Sequence, residues 1–162
     1  MKPILRKGIA LVLLFFGVVI TWFFFGFFLP HITIQHRDIR SSRVQEDYAF
    51  RARIRNACHT VLRHKIGNHH DAFVALEDIG NKDTIPLLIR ALKWQCLEHQ
   101  NKIANNKLVP CTVGHCVWNL QNLTGMKFGY DYEAWDNWWK ETGRYLPFDE
   151  EKGQLILQEG TE

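Results

Sequence analysis

A long apolar segment near the start of the chain most constrains how this protein can fold. From Gly8 to Leu29 there is no charged residue, histidine, asparagine or glutamine, and the only polar side chains are Thr21 and the indole of Trp22. A helix rises about 1.5 Å per residue, so about 20 apolar residues cross a hydrocarbon core of about 30 Å. The sequence therefore predicts a transmembrane helix over residues 8–29.

A cleaved secretory signal is the alternative interpretation, because Lys2, Arg6 and Lys7 form a basic tail before the apolar segment. Two observations favour an uncleaved anchor. The apolar run exceeds the usual ~7–15 residues of a signal sequence, and no small-residue cleavage site follows it. Residues 1–30 are accordingly interpreted as a basic tail and a membrane anchor.

Basic residues flank the anchor on both sides, so the positive-inside rule gives only a mild preference for one orientation. Arg6 and Lys7 adjoin the apolar segment, whereas Arg37 lies several residues beyond Pro30. This asymmetry favours a cytoplasmic N-terminus. We expect a single-pass membrane protein whose C-terminal domain lies outside the cytoplasm.

Hydrophobic periodicity and helix boundary residues predict an all-α domain over residues 42–147, behind a polar connector at residues 31–41. Ser42 is a suitable N-cap for its first helix. Pro86 marks the start of the third helix, because proline is tolerated only in the first turn. The predicted helices cover about residues 42–66, 69–79, 84–96, 113–123 and 132–142.

The remaining segments carry weaker signals. Residues 100–112 are polar and are expected to form a loop. No segment alternates in the manner of a half-buried strand, and the run from Leu155 to Leu157 is too short to predict one. The acidic, glycine-punctuated residues 148–162 are expected to form a flexible tail.

Residues 71–92 carry a pattern of small and aliphatic residues on two successive predicted helices. The pattern comprises Ala75, Leu76, Ile79 and Gly80 in the first helix and Ile85, Pro86, Leu88, Ile89, Ala91 and Leu92 in the second. It closely resembles a HEAT-like repeat, the two-helix unit of bacterial repeat proteins and bilin-lyase relatives. The resemblance implies a short α-solenoid of about five helices, in which stacked neighbours bury each other's apolar faces. It also implies a bacterial protein, whose membrane is then the inner membrane.

A second stretch, from Leu120 to Trp139, is similar to the terminal unit of such domains. It contains Leu-Thr-Gly at 123–125 and Phe-Gly-Tyr-Asp at 128–131, followed by Trp135, Trp138 and Trp139. The spacing of these tryptophans puts them on one helical face, which is typical of a core stripe. The resemblance implies that this face seals the end of the stack, while an aromatic cage for a ligand is the alternative.

The histidines and cysteines raise the hypothesis of a metal site. One sequence cluster surrounds Gly67 and comprises His59, His64, His69, His70 and Asp71. A second set offers thiolate and imidazole ligands for zinc: Cys96, His99, Cys111 and His115 or Cys116. The HEAT-like deoxyhypusine hydroxylase binds iron through repeated His-Glu dyads, but this chain has one His-Asp and one reversed Glu98-His99 pair. No metal and no cofactor is therefore predicted.

The chain has 4 cysteines, all behind the anchor, and an even number allows two disulfides in three connectivities. Cys96 and Cys111 bracket the polar loop, so a disulfide between them would restrain both of its ends. Such a closure contributes roughly 3 kcal/mol in the chain-entropy model. This pair, or Cys111 with another partner, is predicted for a domain outside the cytoplasm. In the cytoplasm the cysteines would remain reduced.

Much of the basic charge lies between the membrane and the repeat. It comprises Arg37, Arg40, Arg43, Arg51, Arg53, Arg55, Arg63 and Lys65. We interpret these residues as a solvated helix face, and attraction to anionic lipid headgroups is the alternative.

No catalytic signature occurs in the chain: there is no glycine-rich phosphate loop, no Gly-x-Ser-x-Gly and no His-Glu-x-x-His. A net charge of +3 without a nucleic-acid-binding motif gives no support for DNA or RNA as a partner. The sequence favours a non-enzymatic adaptor or scaffold, tethered to the membrane, that contacts an unidentified membrane-associated protein. Arg90, Lys93 and the loop at 100–110 are the predicted contacts. The alternatives are a metal-binding or thiol-redox protein and a structural subunit of a membrane complex.

Overall fold

A computed structural model describes residues 3–34, 47–99, 105 and 110–157 of the chain. This part of the molecule is mostly helical, which confirms the predicted all-α character. The helices are α1 (Pro3–Phe23), α2 (Leu29–Thr33), α3 (Tyr48–Leu62), α4 (His69–Ile79), α5 (Ile85–Glu98), α6 (Cys111–Thr124) and α7 (Tyr132–Glu141). A π-helical turn, Phe24–Phe28, joins α1 to α2, and short 3-10 turns occupy Lys82–Thr84 and Gly143–Tyr145.

The apolar segment forms the long N-terminal helix that the sequence predicts. In the described part of the chain, Gly8–Phe28 is the one helical segment of sufficient length and apolarity to cross a membrane, with 21 residues. The hydroxyl of Thr21 donates to the carbonyl of Gly17 at 2.8 Å, so it is satisfied within the helix. Most of the apolar side chains of the segment are exposed and are therefore compatible with a lipid environment.

The N-terminal apolar helix packs directly on the domain behind it. Both the π-helical turn and α2 contact α3, and the Phe27 ring lies 5.6 Å from the imidazole of His64 between centroids. Ile34 is 0% exposed and belongs to the core. Residues 31–34 thus continue the helix into the core, where the sequence predicts a connector, and the rest of that connector lies outside the described residues.

The core of the domain is organised around α6, which contacts both α4 and α5. α3 packs on α4, and α7 packs on α5. The two helices of the predicted repeat, α4 and α5, make few close backbone contacts with each other. The described helices therefore bury one continuous apolar cluster, but a solenoid stack is not established, and the HEAT-like repeat stays a prediction.

Helix limits follow local capping residues. Observed α4 has the predicted limits and begins behind Asn68, whose side chain accepts from the backbone N–H of Asp71. Asp47 caps α3, accepting from Ala49 and Phe50, and the predicted cap Ser42 lies outside the described residues. α3 ends at Leu62 instead of the predicted residue 66.

A capping box opens the 3-10 turn Lys82–Thr84 that leads into α5. Asn81 and Thr84 exchange side chain to backbone hydrogen bonds there. Pro86 lies in the first turn of α5, as expected.

The C-terminal region ends in a small hairpin that the sequence does not predict. β1 (Phe148–Asp149) pairs antiparallel with β2 (Gln154–Leu155), and β2 packs on α6. Leu155 is buried in the core cluster. Two residue pairs are too short to give a strand pattern, so only the packing of Leu155 reveals that this part of the predicted tail is ordered.

Trp135 is the largest side chain in the core of the domain and is fully buried. Its ring packs edge-on against Phe128 at 4.9 Å, and its indole N–H donates to the Gly129 carbonyl at 2.9 Å. Gly129 has a φ of 58°, which favours glycine. Trp138 and Trp139 are partly buried against the same cluster, so the tryptophan stripe belongs to the core, as its spacing indicates.

Replacing Trp135 with alanine should lower the free energy of unfolding by about 3–5 kcal/mol, because the change leaves a large cavity. Trp118, which is half exposed on α6, provides the matched control, and Trp118→Ala should cost much less. Urea denaturation of the full-length protein in detergent, followed by near-UV circular dichroism, measures both. Equal losses in the two variants would contradict the assigned core position.

Candidate functional site

A groove of about 230 Å³ separates the exposed faces of α5 and α7. The side chains that line it are Pro86, Ile89, Arg90, Lys93, Tyr132, Asp136 and Trp139. The α5 members recur at helical spacing, and so do the α7 members, so each helix contributes one row. Two of the predicted contacts, Arg90 and Lys93, belong to this α5–α7 groove. The third, the loop at 100–110, lies outside the described residues except for residues 105 and 110.

The cations of the groove lie over aromatic rings. The Lys93 ammonium is 5.5 Å from the centroid of Tyr132, and the Arg90 guanidinium is 5.7 Å from that of Trp94. Within the described residues, neither Arg90 nor Lys93 has a carboxylate within salt-bridge distance. The carboxylate of Asp136, which also lines the groove, pairs with Lys140 at 2.5 Å instead. Two positive charges therefore remain available to an acidic group that enters the groove.

The floor of the groove is apolar. Ile89 is buried, and Trp139 is partly buried against the core. The pKa of the Tyr132 phenol is raised, first by desolvation and then by the hydrogen bond that it donates to Glu133. The phenol therefore stays neutral. The site combines an apolar floor with a rim of two cations and one carboxylate, that of Asp136, which is paired with Lys140.

The cysteines do not form the predicted disulfide. All 4 are free thiols in the structure. Cys96 is buried on α5, where its thiol donates to the Tyr130 carbonyl at 3.3 Å, whereas Cys111 is exposed at the start of α6. The structure therefore gives no support for a bond between Cys96 and Cys111.

Burial makes three of the thiols poor nucleophiles. It raises the pKa of Cys58 to about 12 and that of Cys96 to about 11, and it raises the pKa of Cys116 well above its usual value. Since the thiolate is the reactive form, these residues behave as small core side chains. The thiol-redox hypothesis gains nothing from them.

The histidines that the sequence groups around Gly67 separate in the fold. His59 Nε2 lies 2.8 Å from the hydroxyl of Thr84 and links α3 to the start of α5. His69 Nε2 donates to the carbonyl of His64 at 2.8 Å and holds the turn before α4. Within the described residues, no group of three or more His, Cys, Asp or Glu side chains is arranged to hold a metal ion.

The sequence does not predict one polar cluster, which consists of His70, Glu77 and His115. His115 Nδ1 on α6 lies 2.5 Å from Glu77 Oε1 on α4, and the His70 ring packs edge-on against that of His115 at 5.2 Å. His70 and Glu77 are two turns apart on α4, a spacing that places them on one face. Their partner on α6 comes from tertiary packing alone, so the sequence offers no signal for it.

A polar cleft of about 740 Å³ lies between the start of α3, the end of α4, α6 and the hairpin. Arg51 and Arg55 donate to the carbonyls of Asp78 and Ile79, at 2.7 and 3.4 Å. These two arginines therefore satisfy the last carbonyls of α4. These two residues of the basic segment between the predicted anchor and the predicted repeat thus bind backbone groups of the domain.

No protein-family model, curated protein or solved structure matches this chain.

Acidification should destabilise the protein through His59. Burial, with a smaller contribution from Arg55, lowers the pKa of His59 from 6.5 to about 4. Between these pH values the unfolded state binds more protons than the folded state, so the free energy of unfolding falls as pH drops from 6.5 towards 4. Above pH 6.5 this contribution is fully present.

Urea denaturation at a series of pH values tests this expectation. The variant His59→Gln should be less stable than the wild type at pH 7 but should lose less stability on acidification. Parallel pH profiles for the two proteins would show that another group is responsible.

Proposed function

We propose that this protein is a membrane-anchored adaptor that binds a segment of a partner protein in the α5–α7 groove, without catalysis. The observation that carries the proposal is the pair of cations, Arg90 and Lys93, that lack a described carboxylate partner beside the apolar floor. A groove of this chemistry is complementary to a segment that carries an acidic side chain next to an aromatic or aliphatic one.

The aromatic walls support this assignment. Tyr132 and Trp139 come from α7, and both are partly buried in the free protein. Their positions are thus largely set before a ligand binds, which reduces the entropy that binding costs. Aromatic and arginine side chains also dominate the binding energy of protein interfaces.

Anchoring explains how so small a groove would suffice. A domain held at the bilayer meets membrane-associated partners at a raised effective concentration, so a weak contact gives adequate occupancy. The HEAT-like resemblance supports the same function, because stacked helical repeats present exposed helix faces to partners. The proposal places the domain outside the cytoplasm of a bacterial cell, attached to the inner membrane.

Peptide selection on the full-length protein in lipid nanodiscs tests the groove. Selected peptides should combine Asp or Glu with an aromatic residue, and the double variant Arg90→Glu, Lys93→Glu should weaken their binding by about tenfold or more, equivalent to about 1.4 kcal/mol. Lys127→Glu with Arg144→Glu makes the same change of net charge at exposed positions outside the groove. Binding that depends equally on both double variants would reflect overall charge and would refute the assignment.

The proposed orientation predicts where a C-terminal reporter works. Alkaline phosphatase fused after Glu162 should be active in cells, because it folds only outside the cytoplasm, whereas a fluorescent protein that requires the cytoplasm should stay dark. The reverse pattern would place the groove in the cytoplasm and restrict its partners to that compartment.

A further inference from the structure

The turn between α3 and α4, residues 63–68, lies at the end of the membrane helix. The ring of Phe27, near the end of the span Gly8–Phe28, is 5.6 Å from the His64 imidazole between centroids. The π-helical turn and α2 also contact α3. When the span occupies a bilayer, this turn therefore lies at the boundary between hydrocarbon and headgroups.

The composition of the turn suits that boundary. Ile66 is 80% exposed. Arg63 and Lys65, which precede it, are also exposed, and residues 63–68 contain no acidic side chain. An exposed apolar side chain next to cations is a pattern of interfacial membrane contacts, where the apolar part enters the headgroup layer and the cations bind phosphate.

Hydrogen bonds hold the turn in place. The backbone N–H groups of Arg63 and His64 donate to Thr60 and Val61, and the His64 carbonyl accepts from the imidazole of His69. The His69 ring in turn stacks on Trp94 of α5 at 6.4 Å. Ile66 is therefore presented outward from a braced turn.

We infer that the turn at 63–68 is a second membrane contact, in which Ile66 enters the headgroup layer and Arg63 and Lys65 bind anionic lipid phosphates. The inference rests on the proposed membrane anchoring and goes beyond it, since it fixes the tilt of the domain on the bilayer. A lipid surface is the occupant because the turn is continuous with the apolar span through Phe27, and its charge is complementary to anionic headgroups.

Other arginines of the basic segment between residues 37 and 65 make contacts within the domain. Arg51 and Arg55 bind carbonyls at the end of α4, and the Arg53 guanidinium lies 4.9 Å from the centroid of the Phe50 ring. Arg63 and Lys65 are instead the chain neighbours of His64, whose ring contacts Phe27 near the end of the span.

An environment-sensitive NBD probe tests the contact in the full-length protein. The probe is attached at Ile66→Cys in a Cys111→Ser background, which removes the exposed native thiol. Tyr48→Cys is the matched control, because Tyr48 is 81% exposed at the opposite end of α3. The protein is reconstituted in nanodiscs of phosphatidylcholine with or without phosphatidylglycerol, and flotation verifies that it is bound to lipid.

The inference predicts a blue shift of the probe at position 66 and its quenching by headgroup-level spin-labelled lipid, both larger with phosphatidylglycerol. The probe at position 48 should remain water-like. Arg63→Gln with Lys65→Gln should remove the dependence on anionic lipid.

Water-like emission at both positions in lipid-bound protein would overturn the inference and leave the anchor intact. Protein that fails to float with lipid would overturn the anchor and the inference together. A blue shift of the probe at position 66 that depends on the number of protein copies per nanodisc, and not on lipid composition, would assign the turn to contact with a second copy of the chain. This result would also overturn the lipid contact.

Discussion

Burial of α6 against both α4 and α5 is the interaction on which the rest of the fold depends. The backbones of α4 and α5 make few close contacts with each other, and α6 joins them because it packs on both. Two hydrogen bonds fix the register: the Cys116 thiol donates to the Leu88 carbonyl of α5, and the Asn119 amide donates to the Phe73 carbonyl of α4. Partners of this kind are directional, so they select one arrangement among those that apolar packing allows.

The two proposed surfaces are built on different helix pairs. α7 packs on α5 and creates the groove, whereas α3 packs on α4 and receives the N-terminal apolar helix. Since Ile34 is part of the core, this helix is joined to the domain by buried apolar contact as well as by the chain. The proposed membrane anchoring would therefore give the groove a defined orientation to the bilayer, which a flexible tether would not provide.

Local signals account for the features that the sequence predicted well. Pro86 marks a helix start through backbone chemistry that needs no tertiary partner. The tryptophan spacing on α7 likewise reports a buried face. Arg90 and Lys93 are exposed on α5 and line the α5–α7 groove, but their role as partner contacts stays a prediction.

Features that depend on distant residues were missed. The pairing of Glu77 with His115 joins residues on different helices, and the order of the hairpin depends on where Leu155 packs. His59 and His69, which adjoin other potential ligands in sequence, are used as hydrogen-bond partners within the core instead. Proximity along the chain suggests a metal cluster, but His59 and His69 lie on different helices and contact different neighbours.

The sequence by itself determined the long apolar helix at the N-terminus and the helical character of the domain. Both follow from hydrophobicity and backbone preferences that act over a few turns. Tertiary structure decided which helices pack together, which cations stay available and which polar groups become buried. Those outcomes depend on contacts between residues far apart in the chain. Local pattern does not encode such contacts, because many packings satisfy the same apolar faces.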